Sequence, residues 1–316
     1  MADKGLLGRF PTKNRALARE IASLGRALEL PSTVLILGES GTGKDHLARA
    51  LHDGSSRAAL PFVRIDAANL SDELFESEMF GHERGAFTGA VASSRGLLET
   101  AGKGTAYLDD ASSLSPSAQA KLLRVLQDKT FRRLGGTETC RFSARLIVSS
   151  RLDLAALVEQ SLFRPDLFYR IDVLAVRLPR LSDRPEDILP LARSFLKRAA
   201  RGFRRPARRF VPEAERIFLR HPWPGNIREL VHVVERAVLA CPHAEVRPED
   251  LPAGALGSPQ ALLAAAVEKA WTLRELTDAY IAETLRRAGG NRTLAASRLG
   301  VSRKSLWERG RRRRKG

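Results

Sequence analysis

Eight consecutive residues, Gly38, Glu39, Ser40, Gly41, Thr42, Gly43, Lys44 and Asp45, spell GESGTGKD. They follow the apolar run Val34-Leu35-Ile36-Leu37 and lead into the helix-compatible run His46 to Leu51. The pattern G-x-x-x-x-G-K is matched at every fixed position except the last, where Asp45 stands in place of Ser or Thr. Strand, glycine turn and helix are the setting in which this pattern cradles a polyphosphate. Glycines let successive backbone N–H groups curl around the anion without Cβ clashes. The following helix presents its positive end to the same anion, and Lys44 is placed to reach the β- and γ-phosphates.

A second set of candidates lies about 65 residues on, where Gly104-Thr105-Ala106-Tyr107-Leu108 ends in Asp109-Asp110. A hydrophobic strand that delivers an acid at its carboxyl end is how phosphate-loop enzymes hold Mg²⁺. Asp109 is expected to hold that metal through its waters, since Mg²⁺ keeps much of its hydration shell. Asp110 is then positioned to orient an attacking water.

These groups need a sheet to carry them. Pro61 to Asp66, Arg145 to Ser150 and Val173 to Leu178 read as further strands, and Ser115-Pro116 opens a helix with Leu122, Leu123, Val125 and Leu126 as its buried stripe. Strands alternating with helices predict a parallel sheet with ligands at its carboxyl edge. Residues 1–33 read as a lead-in plus one helix, with Ala16, Ile21, Leu24 and Leu28 as its apolar face. No separate sensor domain is expected before the phosphate loop. Between the second and third strands, Gly85, Ala86, Phe87, Thr88, Gly89 and Ala90 spell GAFTGA, by pattern alone a flexible hairpin or loop with one exposed aromatic.

From Pro179 the strand signals stop and helical patterns over Ile188–Ala200, Pro212–Arg220 and Asn226–Leu239 predict a small helical lid. The expected divisions are an α/β subdomain over 5–178, the lid over 179–251, a linker over 252–270 and an all-α module over 271–316. In that module Leu273 to Ala288 is a helix stopped by Gly289-Gly290, Asn291 opens a second, and Gly300-Val301-Ser302 turns into a third. Helix, glycine turn and basic helix are the helix-turn-helix arrangement. Arg303, Lys304, Ser305 and Arg309 are the candidates for base contacts, Arg292 and the terminal arginines for phosphates, and Trp307 for packing.

The formal net charge of +17 points to a polyanionic partner. Residues 257–316 hold 14 Lys/Arg against 5 Asp/Glu, so the last module is the most basic per residue. No run approaches the ~18 apolar residues of a membrane span, no secretory leader is legible, and Cys140 and Cys241 read as idle thiols of a reducing cytoplasm.

Together these residues resemble the sigma-54-dependent transcriptional activators, bacterial enhancer-binding proteins of the AAA+ ATPase class, with a Fis-type DNA-binding domain. The most specific piece is FGHERGAFTGA, Phe80 to Ala90. The resemblance implies that this loop, through Phe87 and Thr88, contacts sigma-54. It implies that Arg164 and Arg170, in FRPDLFYRIDVLAVRLPRLSDRPEDI, are arginine fingers offered to a neighbour's nucleotide, and that Arg228 in WPGNIREL and Ser150 sense the nucleotide. The implied cofactors are ATP and Mg²⁺. The implied partners are sigma-54 RNA polymerase holoenzyme, upstream DNA, a homo-hexameric or mixed ring, and a regulatory protein.

Three positions depart from the family pattern. Asp110 stands where Glu is usual, Asp66 where Asn is usual, and Ser150-Arg151 where Thr-Asn is usual. One methylene less at position 110 withdraws the carboxylate, and such misplacement can cost on the order of 10²-fold in rate. An approach of Asp66 to Asp110 would put two like charges in one site and raise one pKa. ATP binding is therefore the firmer expectation, with a DNA-binding regulator or ring subunit of impaired ATPase as the alternative.

Overall fold

The computed structural model describes residues 2–26, 28–30, 32–67, 72–252, 267, 271–287 and 291–301. They form two units that divide after Leu251. In the first, five strands make one sheet: β1 (Val34–Leu37), β2 (Phe62–Asp66), β3 (Thr105–Asp109), β4 (Arg145–Ser150) and β5 (Leu174–Arg177). Their order is β2-β3-β4-β1-β5, and every pair is parallel. All five carboxyl ends therefore lie along one edge, with Asp66 opposite Asp109 and Leu37 opposite both Ser150 and Arg177.

Helices cover both faces, which is why β1 is apolar throughout and β4 carries Leu146-Ile147-Val148 at its centre. On one face Leu35, Ile65, Leu108 and Val148 pack with Phe75, Met79, Leu122 and Leu126. On the other, Val34, Ile36, Tyr107 and Ile147 pack with Leu6, Leu17, Ile21, Leu47 and Leu51. A fully buried side chain of this size contributes roughly 1.5–3 kcal/mol.

The lead-in differs from the expectation of a single helix. There are two, Ala2–Arg9 and Arg15–Arg26, and the buried stripe of the second is Leu17, Ile21 and Leu24, with Ala16 exposed. Gly5 and Gly8 weaken the first helix by propensity, yet Leu6 and Phe10 are buried, so tertiary packing decides.

The segment after β2 forms the helix Asp72–Phe80 and then a short antiparallel pair, Gly81–His82 with Ser94–Arg95. A second hairpin, Thr130–Arg132 with Thr139–Arg141, leans on it through Glu83 N–H to Leu134 O and Leu134 N–H to Gly81 O, both 2.9 Å. Ser115 caps Pro116–Asp128 as expected, accepting from the Ala118 N–H.

The lid contains Pro185–Gly202, Pro212–Arg220 and Asn226–Ala240. Strand structure does not stop at Pro179, because Arg209–Phe210 and Glu245–Val246 pair in parallel. Two-residue strands carry too little alternation to be legible. Leu230, Val233, Val234, Ala237 and Val238 form the buried stripe of the last helix.

The second unit shows Leu273–Arg287 and Arg292–Leu299. Asn291 caps the latter, accepting from Thr293 and Leu294 N–H, and Gly300 closes it at φ 64°. Ala295 and Ala296 are buried against Ile281, Leu285 and Leu299. Arg303, Lys304, Ser305, Trp307 and Arg309 lie outside the described residues, as do the Arg292 side chain and most of the 252–270 linker. No described helix is long and apolar enough to cross a membrane.

Candidate nucleotide site

β1 hands the chain to the phosphate loop, where the Gly38 N–H donates to Ser150 O at 3.1 Å. Gly41 and Gly43 have φ of 77° and 106°, a left-handed region that side chains resist. Gly41 has a second reason: a Cβ there would sit 2.5 Å from the Gly225 carbonyl oxygen of the lid. Lys44 is 8% exposed and folds its ammonium back onto the carbonyls of Gly38 (2.6 Å) and Glu39 (3.0 Å). Burial pushes its pKa down, while Asp109, Asp110 and Asp45 oppose the shift.

The lid is stitched to this loop. Ile227 N–H donates to Gly41 O at 2.9 Å, Asn226 Nδ2 to Ser40 O at 3.0 Å, and Arg228 Nη1 to Ser40 Oγ at 2.7 Å. Arg180 pairs with Glu39. The buried Arg184 donates to Thr42 O at 2.6 Å and faces Asp187, which accepts from Thr12 and from the Lys13 N–H. One arginine thereby ties loop, lid and lead-in together.

The carboxyl end of β3 is wired differently. Asp109 Oδ1 accepts from Ser149 Oγ (2.7 Å) and Tyr107 OH (3.1 Å), and its Oδ2 pairs with Arg64 of β2. Arg64 also reaches Asp45 at 3.1 Å and lies 3.9 Å from Asp66. Against the opposing effect of burial, Asp45 and Asp109 hold this guanidinium above its ordinary range. The one Tyr107 hydroxyl proton is shared between Asp109 and Asp45, the latter at 2.8 Å. Burial drives this phenol far above its usual pKa, and the two carboxylates add to the shift.

Asp110 sits at φ 62°, ψ 69°, a conformation Asp tolerates better than most residues. Ser112 Oγ and Ser113 Oγ donate to its two oxygens, Arg151 Nε pairs with it at 3.0 Å, and the Arg151 N–H adds a further bond at 3.2 Å. Asp66, whose carboxylate lies 3.9 Å from Arg64, and Asp110, which pairs with Arg151, thus each have an arginine close by. Ser150 and Ser149 have different partners. The buried Ser150 hydroxyl donates to Leu152 O at 2.7 Å, and the neighbouring Ser149 is the one that touches Asp109 and the Asp110 N–H.

Arg164 precedes the helix Pro165–Ile171 and Arg170 lies in its last turn, and both are exposed. Arg164 forks onto Asp166 at 3.0 and 2.8 Å, and Arg170 donates to Leu126 O at 3.2 Å.

The GAFTGA segment is a closed turn. Gly85 N–H donates to Ala90 O and Ala90 N–H to Phe87 O, at 2.9 and 3.0 Å. Gly85 and Gly89 have positive φ, and Phe87 and Thr88 are exposed at the tip. Phe87 meets the His82 ring edge-on at 5.1 Å, and His82 Nδ1 lies 2.8 Å from Ser77 Oγ. The Glu83–Arg133–Glu99 ion pairs brace the base of the turn.

Asp109 carries the carboxylate chemistry of an Mg²⁺ ligand, and Asp45 stands beside it across Tyr107 and Arg64. Among the described residues no group of three or more His, Cys, Asp or Glu forms a metal cage. The loop glycines, Lys44 and Arg228 fit a polyphosphate.

Arg64, Ser149, Arg151 and Arg184 were missed by sequence reasoning. Only Arg151 carried a signal, as a departure from the family pattern.

A β2-β3-β4-β1-β5 parallel sheet whose phosphate loop is closed by a helical lid defines an AAA+ ATPase module. Residues 10–177 match the Sigma-54 interaction domain, 182–266 the AAA+ ATPase lid domain, and 272–312 the bacterial regulatory protein, Fis family. The chain is 42% identical over 305 residues to the transcriptional regulatory protein ZraR of Klebsiella oxytoca, covering 96% of this chain and 68% of that protein. It is 44% identical over 278 residues to the alginate biosynthesis transcriptional regulatory protein AlgB of Pseudomonas putida, covering 88% and 61%. The crystal structure of NtrX from Brucella abortus in complex with ATP superposes with a TM-score of 0.69 at 33% identity, over 94% of this chain and 67% of that one. The chain belongs to the sigma-54-dependent transcriptional activators, with an ATP-binding AAA+ domain and a Fis-type DNA-binding domain.

Proposed function

We propose that this activator binds upstream DNA and uses ATP hydrolysis, at a site shared between neighbouring copies, to remodel sigma-54 holoenzyme for promoter opening. The observation that carries the reading is the stitched cleft: Lys44 beneath the loop, with Arg228 and Asn226 of the lid bonded to Ser40. A lid anchored on the phosphate loop moves when the phosphates change. That gives the GAFTGA tip, on the same unit, a nucleotide-dependent position. Arg164 and Arg170 are offered to the next subunit's phosphates in a ring, an arrangement worth ~10³ to 10⁵ in rate where it operates. Asp109, with Asp45 beside it, would hold Mg²⁺, which neutralises charge on the β- and γ-oxygens when bound. Asp110 orients the attacking water, with Asp66 as its family-implied partner. Arg303, Lys304, Ser305 and Arg309 read the DNA site, and Arg292 takes a phosphate.

ATP-dependent open-complex formation on a sigma-54 promoter tests this. Wild-type protein should open the promoter only with ATP, and Thr88→Ala should abolish opening while sparing ATP binding. Opening without nucleotide, or opening unchanged by Thr88→Ala, would remove the reading.

A second reading has its own observation. Asp110 is fully engaged by Ser112, Ser113 and Arg151. A chain that binds ATP but turns it over slowly, as one subunit of a mixed ring, follows from that.

A further inference from the structure

The first 256 residues carry 39 Lys/Arg against 31 Asp/Glu. Thirteen of them, Lys197 to Arg209 (KRAARGFRRPARR), hold seven Lys/Arg and no acid, which leaves 32 against 31 in all the rest. The positive excess of the ATPase unit is therefore one segment of the lid, and not a feature of its surface at large.

That segment is ordered by backbone bonds. Arg205 N–H donates to Ala200 O at 2.9 Å and Arg208 N–H to Ala244 O at 2.7 Å, while Ala207 and Phe210 are buried at either side of Arg208 and Arg209. All seven cations are exposed. Beside them lies an open cleft of about 440 Å³ lined by Arg208, Arg209, His243, Ala244, Glu245 and Arg247. Local acids neutralise little of this: Glu245 takes Arg209, and Glu249 lies 3.9 Å from Arg247. The Arg208 guanidinium bonds to the neutral carbonyls of Arg205 and Ala207. Among the described residues no ion pair reaches Lys197, Arg198, Arg201, Arg204 or Arg205.

Packing like charges this closely is self-repelling in the free protein, and a polyanion relieves it. Six of the seven are arginines, whose planar forks match phosphate oxygens in pairs. A protein partner needs an apolar centre to its interface, and within the segment Phe203 is the one exposed large apolar side chain. We propose that this lid surface binds the phosphate backbone of DNA, without reading sequence, as a contact separate from the C-terminal module.

The test uses the full-length chain and a fluorescein-labelled 30-base-pair duplex of scrambled sequence, titrated across a range of salt. Arg201, Arg204, Arg205 and Arg208 are replaced together by Ala. Four lost phosphate contacts should flatten the log-affinity against log-salt line by roughly 3–4. The ratio of affinities for a specific site and the scrambled duplex should stay at its wild-type value. ATP affinity and the unfolding midpoint report whether the variant folds, and Arg204→Gln with Arg205→Gln, which touches no packed side chain, should flatten the line by roughly 2. A slope unchanged in both variants overturns the proposal. So does loss of binding to poly-glutamate with DNA binding intact, which would mark the surface as a site for acidic protein. Neither result bears on the nucleotide cleft.

Discussion

The phosphate loop and the acid end of β3 lie along the same edge of one sheet, yet they solve the problem of charge in opposite ways. At the loop the bonds come from outside the sheet. Asn226, Ile227 and Arg228 of the lid, and Arg184 beside Asp187, hold carbonyls and hydroxyls of the loop in place. The loop's own cation, Lys44, bonds only to carbonyl oxygens. Those are weak partners beside a phosphate, so an arriving anion gains a lysine without breaking an ion pair. At the acid end the chain supplies its own counter-ions: Arg64 for Asp45 and Asp109, and Arg151 for Asp110. A ligand there must compete with guanidinium groups already seated. The contrast separates a loop whose lysine meets only carbonyl oxygens from an acid end whose carboxylates already hold guanidinium partners.

The comparison breaks if the loop is not the source of affinity. Lys44→Ala removes the loop's own cation, and a hydrogen bond to a charged group is worth about 1.5–3 kcal/mol. Affinity for a fluorescent ATP analogue should fall by roughly 100-fold. A variant that binds within threefold of wild type would place the affinity elsewhere.

On the acid side, the double substitution Asp110→Glu with Arg151→Asn lengthens the carboxylate and removes its guanidinium. Steady-state hydrolysis should rise by on the order of 10²-fold, the scale of a displacement of about 1 Å, with ATP affinity unchanged. A native chain that already matches the double variant would show that Asp110 is not restrained.

Arg64→Ala sharpens the contrast at lower amplitude. A charge this exposed is screened, so its removal should matter by about 1 kcal/mol. The Mg²⁺ concentration that half-saturates the effect on ATP binding should drop by roughly five- to tenfold, while Arg64→Lys should keep the native value. Equal Mg²⁺ dependence in all three proteins would mean that Arg64 moves aside at no cost.

How much of this could be read in the letters follows the same division. The loop was legible because its function is carried by consecutive residues: glycines, one lysine, a strand before and a helix after. Asp109 was legible because a strand that ends in acid is itself a local pattern. The acid end's partners were not. Arg64 is one cation in a strand of mixed character, and only the parallel register of β2 against β3 brings it to Asp109. Ser149 and Ser150 differ only in which face of β4 they occupy, and neighbouring identical letters leave that phase unread. Arg184, 1% exposed, looked like any charged helix terminus, because its burial comes from the loop and lead-in that fold over it. The lead-in itself was half read: Ile21, Leu24 and Leu28 were found, while Leu17 and the glycine-weakened helix before it emerged only from packing.

The smallest effect probes the one side chain that belongs to both regions. Tyr107 OH bonds to Asp45 at the base of the loop helix and to Asp109 at the acid end. Tyr107→Phe keeps the buried ring against Phe62, its stacked neighbour at 5.9 Å, and removes only the hydroxyl. Stability at neutral pH should fall by about 1 kcal/mol, the usual net worth of such bonds, read as a lower urea midpoint. The pH dependence gives a sharper reading. In the folded chain the phenol's pKa is raised, so its contribution is fully present below the unfolded value of ~10 and is lost as pH rises beyond it. Above pH ~10 wild type should therefore lose up to ~1.4 kcal/mol per pH unit from this group, a loss that Tyr107→Phe escapes. The two proteins should approach each other in stability as pH climbs. Curves that stay parallel would mean that the phenol ionises equally in both states, and that loop and acid end are joined by packing alone.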